Sequence, residues 1–581
     1  MNTIIFWVMR RMRVPLLILL TAYTVAVVGM TLIEGVDDQG QAWRMDFFHA
    51  FYFVSFMGTT IGFGEIPYEF SNAQRMWVTL SVYMTVVAWI YAIGALLSLL
   101  QDEALRRAMT ESRFARTVDN IHEPFYLICG YGDTGRALVK ALEERLMRTV
   151  VIEKKQERIN VLMMENYPVY VPKFCADASL PLHLVEGGLK NPFCSGVVAI
   201  TNDNLANLHI AITVKLLKPK LTVISRVDSH EVATNMDSFG TDFIIDPFDV
   251  FARKLHTALN SPNLLLLREC LTGEKNSNLC EALNPPPAGL WILCGYGRFG
   301  KAVYERFKGE KNLRFVVIEA TPERTGYPRV ECIKGRGTEA ETLQQAHIEE
   351  AVGIIAGTDN DVNNLSIIMT ARQLNSNLFV VLRQNRAANQ IIFEAAKADI
   401  VMQASQIIAN HIRVLLTTPL LVDFLRLSKR RGHQWIRQLI ARLKGVLNST
   451  PPEIWEMKID KDSAPALSQG NPVNLECLLA DPRDRQEKLP CIPLLLIRSD
   501  REMILLPEDS ECLAPGDQLL WCGKPGVASW MEWTLRDPLV LIYLSTGEIV
   551  PRSYVWRWFL KKKKMVSTAN VGQRIKTFKI Q

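Results

Sequence analysis

The sequence predicts a membrane α-helical domain followed by α/β: two transmembrane helices with a short helix between them, two tandem doubly wound units, and a small β-rich C-terminal lobe. Three observations carry this. Residues 14–33 run for 20 positions without a charge and residues 76–101 for 26, each meeting the roughly 20 apolar residues a helix needs to cross the hydrocarbon. From Phe125 onward, short β-rich runs alternate with helical ones, the pattern of parallel α/β units. A glycine-rich strand-to-helix junction then occurs twice, at Gly130-Tyr131-Gly132-Asp133-Thr134-Gly135 and at Gly295-Tyr296-Gly297-Arg298-Phe299-Gly300.

The first span is preceded by Arg10, Arg11 and Arg13, but its apolar core is too long for a signal peptide and no small-residue cleavage site follows, so it is expected to stay in the mature protein. Arg106, Arg107, Arg113 and Arg116 follow the second span, and the basic flanks place both ends of the hairpin, and hence both termini, in the cytoplasm. All 11 cysteines lie between Cys129 and Cys522, on that reducing side, so no structural disulfide is expected. No CxxC pair occurs and the nine histidines show no HxH, HxxxH or HExxH spacing, which gives a zinc site no sequence support. The net charge of +6 is modest, and the basic segment from Lys429 to Lys444 reads as a solvated helix face, since no aromatic interleaving or binding fold accompanies it to suggest nucleic acid. Lys561 to Lys564, after Trp556, Trp558 and Phe559, could touch anionic lipid, although a solvated tail explains the run more simply.

Between the spans, residues 43–58 have helix length and aromatic bulk, and Thr60-Ile61-Gly62-Phe63-Gly64 follows at once. An ion leaving water needs a replacement hydration shell, which successive backbone carbonyls facing one axis can provide. The glycines permit the backbone angles this requires. The stretch resembles the selectivity filter of potassium channels, Thr-Val-Gly-Tyr-Gly-Asp, with Ile61, Phe63 and Glu65 as departures that leave the carbonyl ladder intact. Phe63 lacks the hydroxyl with which a tyrosine could brace the filter. The intervening loop has Arg44 and Arg75 against Glu34, Asp37, Asp38, Asp46, Glu65 and Glu69, so an acidic outer mouth is expected to gather cations; a solvated loop explains the acids almost as well. Gly94, deep in the second span, is a candidate gating hinge or a close-packing position.

In the α/β part each glycine motif is followed by a second apolar strand ending in an acid, Glu153 or Glu319, 23 or 24 residues after the first glycine. That spacing suits a carboxylate on ribose hydroxyls, with the pyrophosphate held at the helix N-terminus. The register persists, since Thr201 and Thr358, Asn207 and Asn364, and Arg226 and Arg383 recur at equal intervals. Most of residues 125–402 is therefore an internal duplication. It resembles two copies of the regulator of potassium conductance (RCK) domain. Together with the filter, the chain resembles prokaryotic two-transmembrane potassium channels with tandem RCK domains.

The resemblance implies a membrane α-helical pore domain (two transmembrane helices plus pore helix) followed by α/β: two tandem Rossmann-like RCK domains with a small β-rich C-terminal lobe. The expected divisions are a pore domain at 1–101, a linker at 102–122, a first RCK domain with crossover helix at 123–284, a second at 288–428, a basic helical segment and lobe at 429–526, and an extension at 527–581. Residues from Gln403 to Leu427 read as one long helical stretch, which the resemblance implies crosses over to a partner domain.

The filter residues Thr60, Ile61, Gly62, Phe63 and Gly64 are expected to conduct K+. Nucleotide binding is assigned to Gly130, Gly132, Asp133, Thr134, Gly135, Glu153 and Asp177, and in the second copy to Gly295, Gly297, Arg298, Phe299, Gly300, Glu319 and Arg336. NAD or NADH is preferred because the two acids would repel the extra phosphate of NADP; ADP, ATP or AMP is the alternative. Where the first copy has Asp177 the second has Arg336, which could meet a phosphate. Calcium or another divalent ion is possible in this family, and no residues single out its site.

The expectation is a ligand-gated, homotetrameric potassium channel of the cell inner membrane, multi-pass and lipid-embedded, with no catalytic residues. Two spans cannot enclose a pore alone, so four chains are implied. The rivals are a membrane-tethered NAD-dependent oxidoreductase, which leaves the filter without a purpose, and a weakly selective cation channel.

Overall fold

The computed structural model describes residues 2–273, 283–448, 450–460, 463–465 and 473–549. The aromatic and lysine run at 556–564 lies outside them. The chain divides into two compact units, one holding residues 1–123 with 172–174 and 182–193, the other the remainder.

In the first unit, helices spanning Asn2–Leu32 and Asn72–Gln101 form the membrane hairpin, and both are long and apolar enough to cross a bilayer. Gly29 permits their close approach: a β-carbon there would fall 2.0 Å from the Trp77 ring, whose indole Nε1 donates to the Ala26 carbonyl at 3.2 Å. The Trp89 Nε1 donates to the Tyr23 hydroxyl at 2.8 Å. Between the spans, strands Glu34–Val36 and Ala42–Arg44 pair antiparallel before the helix Phe47–Gly58 begins. The aromatic run at 43–58 is thus helical only from Phe47, because Asp46 caps that helix by accepting from the His49 amide at 2.7 Å and the preceding residues are claimed by the hairpin ladder.

The inner helix ends at Gln101. Asp102 is extended (φ −65°, ψ 121°), and a second helix, Glu103–Asp119, starts on its far side. The Asp102 carboxylate accepts from the Ala104 amide at 2.9 Å and pairs with Arg11 of the outer helix. One side chain therefore starts the linker helix and ties both spans at the same end.

The second unit contains two parallel six-stranded sheets of the same design. The first runs, from edge to edge, Lys173–Cys175, Arg148–Glu153, Phe125–Cys129, Cys194–Ala199, Thr222–Arg226 and Phe243–Ile245. The second runs Cys332–Lys334, Leu313–Glu319, Gly289–Cys294, Ala351–Ala356, Phe379–Gln384 and Ile400–Gln403. In chain order this is 3-2-1-4-5-6, which leaves a crevice beyond the carboxyl ends of the first and fourth strands.

Each sheet is followed by a helix broken at a proline. Pro247–Asn260 gives way to Pro262–Thr272, and Ala404–Thr417 to Pro419–Lys429, the latter pair meeting at 108°. The stretch expected as one long helix from Gln403 is thus two, since Pro419 cannot extend the first. The crossover is reciprocal: Pro247–Asn260 packs on the second copy's helix Arg298–Phe307, and Ala404–Thr417 on the first copy's helix Asp133–Glu143. Ile407, Ile408 and Ile412 are buried there with Leu138, Val139 and Leu142, so apolarity in this helix serves a domain core.

The basic segment becomes the amphipathic helix His433–Leu447, which buries Ile436, Leu439, Ile440, Leu443 and Leu447 and leaves its charges outside. The C-terminal lobe is a four-stranded sheet in the order Glu453–Lys458, Gln518–Gly523, Cys491–Ile497, Met503–Leu505. Its turn at Gly516 is held by Asp517, whose carboxylate accepts from the Ala514 amide and from Arg498, each at 2.9 Å. The lobe does not stop at residue 526. Val527, Met531 and Leu535 of the helix Val527–Arg536 are buried in its core.

Candidate functional site

The helix Phe47–Gly58 hands its last carbonyls directly to the motif that follows. The Thr59, Thr60 and Ile61 amides donate to the carbonyls of Ser55, Met57 and Phe56 at 3.1, 3.0 and 2.9 Å. Through Thr60, Gly62 and Gly64 φ is positive, at 63°, 69° and 96°, whereas Ile61 and Phe63 do not share that sign. Alternation of hand turns successive carbonyls toward one side, which is the arrangement that cation coordination by backbone requires. A β-carbon at Gly62 or Gly64 would touch nothing within 4 Å, so only the backbone angle calls for glycine there. Thr60 holds the same region as a threonine, at a cost of about 1–2 kcal/mol, a strain typical of functional loops. The Phe63 ring is braced edge-on by Phe56 at 5.3 Å instead of through a hydroxyl.

The acids around this loop are mostly occupied. Arg75 donates to both Glu65 oxygens at 2.8 and 3.0 Å and Phe70 donates its amide at 2.8 Å. Glu34 pairs with Arg44 at 2.6 Å, Asp37 accepts from the Gln39 and Gln41 amides, and Asp46 is the helix cap. The acidic loop is therefore in large part a set of structural acceptors. Gly94 lies within the uninterrupted helix Asn72–Gln101, and a β-carbon there would meet nothing within 4 Å. Close packing inside the chain does not account for it.

In the first α/β unit, Gly130 has φ 106° and Gly135 stands so close that a β-carbon on it would lie 2.2 Å from the Gly130 carbonyl oxygen. The helix Asp133–Glu143 can rest against the strand end only because Gly135 is glycine, while Gly130 is required by its positive φ and by the Ile200–Thr201 backbone beside it. The adjoining cleft, of about 320 Å³, is lined by Gly130, Gly132, Glu153, Lys154, Arg158, Asp177 and Thr201 among others. Thr134 is buried, Asp133 is exposed, and both line the neighbouring hollow toward the second copy.

Glu153, only 5% exposed, accepts from the Tyr131 amide at 2.6 Å, the Lys155 amide at 2.9 Å and Arg158 at 3.3 Å. It pins the glycine loop to the strand end and keeps acceptor capacity on Oε1, which takes only the Lys155 amide. Asp177 is held by Lys154 at 2.8 Å and by the Ser179 amide and hydroxyl at 3.0 and 2.6 Å. Those hydrogen bonds, Lys154 first, lower its pKa to about 2.

The second cleft repeats the scaffold with different charge. Glu319 accepts from the Tyr296 amide at 2.5 Å and the Thr321 amide at 3.0 Å. The cleft is larger, about 550 Å³, and its lining includes Arg298, Lys301, Arg324, Arg336 and Arg383 against Glu319 and Asp359. Arg298 stands at the helix N-terminus where the first copy has Asp133, and it pairs with Asp228. Gly295 and Gly297 line this cleft, while Gly300 is the packing glycine, a β-carbon falling 2.0 Å from the Gly295 carbonyl oxygen. Phe299 also borders this cleft. It is 2% exposed, edge-on to Phe251 at 5.6 Å, with Arg383 over its face at 5.0 Å, because the crossover helix covers it. Burial pushes Arg383 down to about 10.

Sequence reasoning missed Arg158 and Arg324. Each lies five residues after its acid, Glu153 or Glu319, so the duplication itself held the signal. The recurring Thr and Asn pairs have a structural role. Asn207 accepts from the Thr201 amide and hydroxyl at 3.0 and 2.8 Å and donates to the Thr201 and Arg226 carbonyls at 3.0 and 2.9 Å. Asn364 does the same with Thr358 and Arg383.

An ion-channel family matches residues 16–102, and the TrkA-N domain family matches residues 126–247 and 291–404. Potassium channel protein 1 of Methanocaldococcus jannaschii is 35% identical over 101 residues, which are 16% of this chain and 30% of that relative. Probable potassium channel protein 2 of the same organism is 25% identical over 251 residues, 42% of this chain and 65% of the relative. The chain thus spans less than two thirds of the length of these curated relatives. Among solved structures, the GsuK channel aligns with a TM-score of 0.48 at 17% identity, covering 92% of this chain and 100% of that one.

Proposed function

This chain joins an ion-channel domain to two TrkA-N domains, in the manner of prokaryotic potassium channels with RCK domains, and we propose that it is a ligand-gated potassium channel. The observation that carries the reading is the alternation of positive φ through Thr60, Gly62 and Gly64 at the end of a short helix held between two spans. A homotetramer follows from the same feature, since one chain supplies carbonyls from one side only. Ile61 and Phe63 are 60% and 64% exposed in the single chain, apolar surface that neighbouring subunits would cover. The outward faces of both spans suit lipid, and the basic flanks favour an inner-membrane protein with both termini in the cytoplasm.

The clefts are read as nucleotide sites. In the first, Gly130 and Gly132 allow close backbone approach, and Glu153 retains a free acceptor position on Oε1 for a ribose hydroxyl. NAD or NADH is favoured over NADP because the nearly buried carboxylate would repel a 2′-phosphate. In the second, four further cations join Arg298, which supports an adenine nucleotide with two or three phosphates, such as ADP or ATP. Binding moves the pore only if the ligand prefers one arrangement of the domains.

The test is current through purified protein in a planar bilayer, with potassium on one side and sodium on the other, before and after NADH or ADP reaches the cytoplasmic face. A reversal potential near that of potassium and a ligand-dependent open probability are expected. Absence of current under every nucleotide, together with nicotinamide turnover, would transfer the chain to the oxidoreductases.

A further inference from the structure

The strongest feature outside the filter and the two clefts is a mixed cluster on the linker. Glu111 lies on the helix Glu103–Asp119, and His183 and Glu186 lie one turn apart on the helix Pro181–Glu186, so both face the same way. One donor atom from each of the three lies within 4.8 Å of the other two. All three side chains are half-buried, and Glu186 Oε2 is shielded from solvent with no hydrogen-bond partner among the described residues. Two carboxylates at this separation repel each other, and a sheltered oxygen without a donor is costly. A cation between them would relieve both conditions.

The frame around the cluster is already fixed. Phe114, on the linker helix, stacks on Phe174 at 5.0 Å, and Phe174 meets the His183 ring edge-on at 5.6 Å. The Asn191 amide donates to the Val118 and Ile121 carbonyls at 3.1 and 3.3 Å. These contacts hold the two segments together beside the three donors. Zinc takes imidazole and carboxylate ligands at about 2.0–2.2 Å, which sets neighbouring donors roughly 3.3–3.6 Å apart.

We propose that Glu111, His183 and Glu186 form a divalent-cation site of the zinc or manganese class, with water completing the shell, that clamps the linker helix to the helix Pro181–Glu186. The imidazole selects borderline transition ions, whereas calcium asks for six to eight oxygens. The site exists independently of the channel reading. Its effect on gating rests on that reading, because Glu111 sits on the helix that follows the inner span directly through Asp102.

The experiment is a calorimetric titration of the chelator-treated full chain with Zn2+, repeated on Glu186→Gln and Glu111→Gln, each checked for native oligomeric elution. One high-affinity ion per chain is expected, with affinity falling about 10-fold or more in each variant. Unaltered affinity and stoichiometry in both natively eluting variants would place the ion elsewhere and overturn the proposal, as would absence of binding to the wild type. His183→Asn is the second measurement if a carboxylate variant fails to assemble; retained binding there also overturns it. Zn2+ on the cytoplasmic face of the bilayer should alter open probability in the wild type and not in Glu186→Gln. Specific binding without any current would retain the site and remove only the channel reading.

Discussion

The Arg158 guanidinium meets the Glu153 carboxylate at 3.3 Å and lies above Gly132, 3.5 Å from where a β-carbon would stand. The acid proposed to address a ribose is also the acid that shapes the glycine loop. Glu153→Ala should weaken NADH binding at least about 10-fold, as expected for losing a charge-assisted bond of about 1.5–3 kcal/mol, and should lower thermal stability as well. Arg158→Ala should weaken binding while sparing stability, since the two backbone amides still hold Glu153. Calorimetry and a melting curve on the same samples separate these effects; unchanged NADH affinity in Glu153→Ala would remove the first cleft as a nucleotide site.

Asn207 and Asn364 each fasten the loop after the fourth strand to the fifth with four hydrogen bonds, and both are fully buried. Replacement by alanine leaves buried carbonyls and an amide unpaired, at about 1–3 kcal/mol each. Asn207→Ala and Asn364→Ala should each destabilise their own sheet by at least about 2 kcal/mol. Hydrogen exchange of the strands Thr222–Arg226 and Phe379–Gln384 reads this directly, and unaltered protection in either would contradict the role assigned here.

Much of this architecture was legible in the chain because it is written in local patterns. The spans, the glycine junctions and the spaced acids are each contained within about thirty residues, and the duplication repeats them. The depth at which Phe299 is buried was not legible, because a glycine loop does not say which of its side chains a distant crossover helix will cover. The cluster of Glu111, His183 and Glu186 escaped because its members come from separate segments and only the histidine and its neighbouring acid share a helix. The break at Pro419 was readable and was passed over in favour of a continuous apolar stretch.

The two pore glycines should behave differently. At Gly62 an alanine meets no neighbour but must adopt φ near 69°, a cost of about 1–2 kcal/mol per subunit. Gly62→Ala should therefore assemble and lose potassium selectivity, seen as a reversal potential shifted toward that of sodium. Gly94→Ala also meets open space. If bending there opens the pore, its open probability should fall at unchanged selectivity; identical gating would discard the hinge.

Glu456 gives the C-terminal lobe a pH dependence. Burial pushes its carboxyl up from 4.5 to about 7, although the Leu420 amide donates to it at 2.7 Å. The unfolded chain releases this proton near pH 4.5 while the folded lobe keeps it to about 7, so the lobe loses stability as pH rises across that window. Glu456→Gln should flatten the dependence and protect the lobe above pH 7. Exchange rates of the amides in Glu453–Lys458, followed from pH 5 to 8 after correction for intrinsic chemistry, provide the measurement; a slope equal to that of the wild type would exclude Glu456 as its source.

Asp102 reduces the passage from membrane hairpin to linker to two backbone torsions, since helix ends immediately before it and begins again immediately after. The linker helix of 17 residues is roughly 25 Å long at 1.5 Å per residue. A rotation of about 10° at that single corner displaces its far end by roughly 4 Å. The arm is thus geared: the same angular change at the membrane edge grows with distance along it, to roughly 2 Å at Glu111 and roughly twice that at Asp119.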